Sequence, residues 1–134
     1  MVRLDDWPSR LSAYLRERKK MPFQWHVNDC MSFTAKAVEA LTGIDYFSHY
    51  SDYHDEETAR QMLAKNGGVV GIITKCLGKG SREVAKASRG DVVIVKAPEV
   101  LAGIVDDSGQ RIVGIGETGF IYMPLKKAWR YWSY

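Results

Sequence analysis

The chain has 134 residues, the size of one ordinary domain, and its apolar content of 46% with 11% aromatic excludes a disordered tail. A net charge of +3, with basic runs only at Arg16–Lys20 and Lys126–Lys127, falls short of the dense basic patch that nucleic-acid binding needs. No run approaches the roughly 18–20 apolar residues of a bilayer span, and Met1–Lys20 lacks the apolar core of a signal peptide.

Taken in chain order, the pattern predicts an α+β domain spanning 1–134, helical over about 5–77 and a sheet over about 90–134. The first helix starts near Asp5 or Asp6 with Pro8 in its first turn, runs to about Lys20, and carries an apolar stripe of Leu11, Tyr14 and Leu15. Pro22-Phe23 ends it. A second helix follows from about Asp29 to Thr42, with Asn28 and Asp29 as N-cap residues and Thr42-Gly43 as its stop. Cys30, Phe33, Ala37, Val38 and Leu41 fall on one face of it at spacings of three and four. Asp45–Tyr53 has no helical period and reads as an exposed loop. Asp55 caps a third helix over 56–66, closed by Gly67-Gly68. Val69–Leu77 is an apolar run that length alone assigns to neither helix nor strand.

From Gly90 the pattern turns to β. Asp91–Lys96, Leu101–Val105, Arg111–Ile115, Phe120–Met123 and Ala128–Trp132 are short runs separated by turn residues, and Asp106-Asp107-Ser108-Gly109 is a hairpin signal between the second and third. Helices first and about five antiparallel strands after them predict N-terminal helices packed on a C-terminal sheet. Gly114, Gly116 and Gly119 imply a bulge or a close approach; no helix follows them, so they are not a phosphate loop.

The residue with chemical promise is Cys30. In the first turn of a helix, unpaired N–H groups and the helix dipole favour an anion and lower a thiol pKa, while the carboxylate of Asp29 opposes this. Position on the apolar face supports the other reading, a buried structural cysteine. A nucleophilic thiol needs a base in hydrogen-bond reach and a group to orient that base. The three histidines are His26, four residues before Cys30, and His49 and His54 in the polar loop. A metal site at His26 and Cys30 has one ligand pair where structural zinc needs four ligands, so no metal and no cofactor are expected.

Trp25-x-x-x-Asp29-Cys30 at a helix start, with Phe33 three residues on, resembles the nucleophile segment of NlpC-type cell-wall peptidases, which are papain-like thiol hydrolases. Their usual Asp-Cys-Ser-Gly-Phe reads Asp29-Cys30-Met31-Ser32-Phe33 here. Arg89-Gly90-Asp91-Val92 followed by Leu101-Ala102-Gly103-Ile104 resembles their second signature, with Leu101 at the place of the catalytic histidine and His26 where that family prefers glycine. Pro22-Phe23-Gln24-Trp25, Thr42-Gly43-Ile44-Asp45 and Ala128-Trp129-Arg130 resemble a group of phage tail-associated proteins of uncharacterised function, from about Arg16 to the end of the chain. The resemblance implies an NlpC-like minimal fold that has lost its dyad. It would be a virion component of the tail tip, made in the host cytoplasm, with other tail-tip proteins as partners and host peptidoglycan as a second one. Tyr46, Phe47, Tyr50, Trp129, Tyr131 and Trp132 are the candidate partner surface, because interfaces favour Tyr, Trp and Arg. The alternative it implies is an active peptidoglycan hydrolase using Cys30 with His26 as a non-standard base.

Overall fold

In the computed structural model, which describes residues 2–96 and 99–134, four α-helices precede a five-stranded sheet. The helices are α1 (Trp7–Lys19), α2 (Cys30–Thr42), α3 (Glu56–Lys65) and α4 (Gly68–Leu77). The strands are β1 (Val92–Val95), β2 (Leu101–Val105), β3 (Arg111–Gly116), β4 (Gly119–Pro124) and β5 (Arg130–Trp132), in the order β4-β3-β2-β1-β5 with every neighbouring pair antiparallel. The fold is α+β. No helix among the described residues is long and apolar enough to cross a membrane.

Helix α2 is the centre of the molecule. Phe33, Ala37, Val38 and Leu41 of the stripe its spacing predicts are buried, with Met31 beside them, while Cys30, the first member of that stripe, is only half-buried. On one side the helix meets α1, where Leu11, Tyr14 and Leu15 are buried and the Tyr14 hydroxyl donates to the Phe33 carbonyl. On the other it lies against the sheet face formed by Val92, Ile94, Ala102, Ile104, Val113 and Ile115. The second sheet face has its own small core, Val93, Val95, Val105 and Ile112, covered by Ala87, Met123, Leu125 and Tyr131. β1 is therefore buried on both faces, which is why its sequence is continuously apolar and does not alternate.

The ambiguous run 69–77 is helical. Val69, Ile72 and Ile73 are buried and Cys76 is partly so, a spacing of three and four that belongs to a helix face. Two expectations need correction. The 45–53 segment is not a wholly exposed loop: Phe47 and Tyr53 are buried on either side of a short 3-10 turn at Ser48–Tyr50. Trp132 is not part of an open surface either, since it is 3% exposed. Its indole packs over Gly80, where a Cβ would come within 2.6 Å, and its Nε1 donates to the Gly78 carbonyl at 2.8 Å.

Arg3 clasps the approach to β1. Its guanidinium bonds Asp91 Oδ1, the Arg89 carbonyl and the Tyr134 carbonyl, each at 2.8 Å, and lies between the rings of Trp7 and Tyr134. Asp91, read from sequence as a turn residue leading into β1, is thus the buried anchor of that clasp, and its Oδ2 also accepts the Ser88 N–H. Burial raises the Asp91 carboxyl above the ordinary carboxylate value despite the partial offset from the Ser88 N–H and Arg3.

Candidate functional site

The segment leading into α2 is a tight turn. Gln24 and Asn28 bridge, and the Asn28 side chain donates to the Met21 and Pro22 carbonyls while accepting from Arg18. Asn28 therefore staples the turn, and Asp29 alone caps the helix. The Asp29 carboxylate accepts the Ser32 N–H at 2.8 Å, and the Ser32 hydroxyl accepts the Asp29 N–H at 2.9 Å, a reciprocal capping box. The same carboxylate accepts the His26 N–H at 2.7 Å and the Tyr53 hydroxyl at 2.7 and 2.9 Å. Asp29 is 3% exposed, so its burial is compensated by these donors.

Cys30 follows as the first residue of α2 and is half-buried. Its thiol faces the Ala102 N–H at the start of β2. Burial pushes it up from 9.0 to about 11; the Ala102 N–H pulls the other way, and the charges of Asp29 and Glu99 add to the rise. Leu101 pairs with Val95, which places it on the sheet face turned away from α2, and its side chain lies over Gly114. The strand therefore presents backbone to the sulfur.

None of the three histidines among the described residues hydrogen-bonds the thiol. His26 is exposed and holds a left-handed backbone with φ 72°, a conformation that favours glycine. Its ring turns edge-on to Tyr53 at 5.5 Å. His49 is exposed, and exposed His54 pairs with Asp55 at 3.6 Å. Beside His26 a cleft of about 190 Å³ runs between α2 and the 45–53 segment, lined by Met31, Lys36, Asp45, Tyr50 and Tyr53; Cys30 does not line it.

The candidate partner residues divide. Phe47 is 4% exposed and Trp132 3%, so both are core, whereas Tyr46, Tyr50, Trp129 and Tyr131 are partly exposed. Trp129 carries Lys96 and Arg130 against its ring at 3.7 and 4.4 Å. Tyr131 belongs to the small core on the far sheet face. Two participants had no readable signal in the chain: Tyr53, 24 residues from the carboxylate it bonds, and the backbone of Ala102.

A helix-capping carboxylate and a half-buried thiol that no histidine among the described residues hydrogen-bonds mark the start of α2 in this α+β domain. The chain belongs to the family described as "Domain of unknown function (DUF6950)", which it matches over residues 2–134. No curated protein matches it.

Proposed function

We propose that the protein is a structural and interaction component and that Cys30 is a packing residue where the start of α2 meets β2. The observation that carries this reading is the thiol itself, held near a pKa of about 11 with backbone where a base would be needed. At neutral pH such a group is almost entirely protonated, and loss of a general base alone costs about two to four orders of magnitude in rate. The sequence resemblance to NlpC-type peptidases and to phage tail-associated proteins supplies the setting: an NlpC-like fold without its dyad, carried in the tail tip of a virion. The histidine-free thiol and Leu101 at the signature position support a fold retained for assembly.

The hydrolase reading rests on one feature, the Ala102 N–H facing the sulfur, because a backbone donor there favours a thiolate. Against it, burial outweighs that donor, and His26 would have to leave Tyr53 and a backbone conformation fixed by Asp29. The test is incubation of purified protein with isolated peptidoglycan, reading new amino groups, alongside Cys30→Ala. We expect neither protein to release amino groups, and the variant to enter tail particles as the parent does. Release that depends on Cys30 would overturn the proposal.

A further inference from the structure

We propose that the open edge of β4 is a docking site for an extended, acidic strand of a partner protein. This rests on the interaction reading above and specifies its surface.

The two edges of the sheet are not alike. Along β5 the edge is covered, because Ser81 and Tyr131 exchange N–H···O=C bonds at 2.8 and 3.0 Å. β4 has no such cover among the described residues. The Arg111 carbonyl accepts from the Asp106 N–H, so the polar groups of Arg111 face β2 and the Arg111–Pro124 pair exchanges no bonds. By the alternation of an antiparallel ladder, Val113–Tyr122 and Ile115–Phe120 are also non-bonded pairs. The N–H and C=O groups of Phe120 and Tyr122 therefore point out of the sheet. Pro124, which has no N–H to offer, falls in the same outward register, as prolines on edges do. The strand sequence Gly119-Phe120-Ile121-Tyr122-Met123-Pro124 carries none of the charged side chains that protect exposed edges.

A strand added there places alternate side chains on the α2 side of the sheet, because directly opposed residues share a face. On that side a groove of about 190 Å³ opens between α1 and the β3–β4 hairpin, floored by Phe120 and Tyr122 and walled by Arg16 and Lys19. Of its carboxylates, Asp106 pairs with Arg111, and Asp107 keeps its charge while accepting from the Ser12 hydroxyl at 2.9 Å, so that with Arg16 and Lys19 the groove remains net positive. Arg16 and Lys19 form no ion pair among the described residues. A glutamate on the incoming strand would lay its stem on the aromatic floor and its carboxylate between these two cations. The same charges disfavour a second copy, because β4-to-β4 pairing brings Arg16, Lys19 and Arg111 close to their own twins.

The test uses two blocked hexapeptides, Thr-Glu-Val-Glu-Val-Thr and Thr-Lys-Val-Lys-Val-Thr, titrated into ¹⁵N-labelled protein. We expect the glutamate peptide to shift the Phe120 and Tyr122 amides, the lysine peptide to bind at least about tenfold more weakly, and Arg16→Glu with Lys19→Glu to invert that order. Both substitutions are on the exposed face of α1, so the fold is retained and checked by its dispersed spectrum. Unmoved amides, equal effects of both peptides, or a concentration-dependent dimer with these amides protected would overturn the proposal. Cys30-dependent hydrolysis would defeat the assembly reading without touching these shifts, so the two failures are separable.

Discussion

The alkylation rate of Cys30 should follow a pH profile set by its burial. The experiment removes the other thiol by Cys76→Ser; the Cys76 Sγ donates to the Tyr46 carbonyl, and its loss leaves the helix start untouched. A thiol moved from 9.0 to about 11 holds about a hundredfold less thiolate than an unburied cysteine at any pH below both values. Iodoacetamide reacts with the thiolate, so at pH 8 the rate should be about a hundredfold below that of a cysteine peptide, and lower still where the reagent is sterically excluded. The logarithm of the rate should climb with unit slope through pH 10 and reach the peptide rate only in urea. Asp29→Asn and Glu99→Gln each remove a charge that raises the pKa, so each should move the inflection downward. A plateau reached at or below pH 8, or a rate within tenfold of the peptide at that pH, would refute the argument and revive Cys30 as a nucleophile.

Alkaline stability should carry the same signature. Folded Cys30 keeps its proton to about 11 while the unfolded thiol loses it near 9.0, so the unfolded state binds fewer protons in that interval and stability falls as pH rises through it. Urea midpoints measured between pH 8 and 11 should drop, and less steeply in Cys30→Ala. Arg3→Met strands the buried Asp91 carboxylate and should cost about 3 kcal/mol in urea unfolding, part of which Asp91→Asn in the same chain should return. Tyr53→Phe removes a donor to the buried Asp29 carboxylate and should cost about 1–2 kcal/mol, less than Asp29→Ala, which also loses the helix cap. Gly103→Ala puts a Cβ 2.6 Å from the Val113 carbonyl of the neighbouring strand and should lower the melting temperature by an overpacking cost of about 1–3 kcal/mol.

The fold was legible wherever the physics is local. A stripe at three and four spacing gave α1 and α2, the Asp55 cap gave α3, and Asp106–Gly109 gave the β2–β3 hairpin. Legibility failed where a second layer decides. Ser48–Tyr50 makes only one 3-10 turn, so the chain around it has no period, yet Phe47 reaches the main core and Tyr53 the Asp29 carboxylate. Alternation in β5 puts Tyr131 opposite Trp132 without saying which face is covered. The cover of Trp132 comes from Gly78, 54 residues earlier, from Gly80 beneath its ring and from Val92 beside it. Neither relation leaves a mark in local sequence.

The reactivity of Cys30 shows the same division more sharply, because two opposing effects meet at one atom. The helix start, visible in the sequence, favours a thiolate by about 0.3–1 kcal/mol. Burial beneath β2, visible only once Ala102 is brought to the sulfur, works against it. The net rise from 9.0 to about 11 corresponds to about 2.7 kcal/mol in favour of the protonated thiol. Burial wins. Asp29 contributes to both sides: as the cap it makes α2 a well-formed helix, and as the neighbouring carboxylate it makes the sulfur harder to ionise. A nucleophile at this position would need an imidazolium to offset that carboxylate. His26 is close enough in sequence, but its N–H is tied to Asp29 Oδ2 and its ring is turned to Tyr53. The carboxylate that orders the helix start thus also fixes the backbone of the histidine four residues before the thiol, and that histidine makes no hydrogen bond to the sulfur.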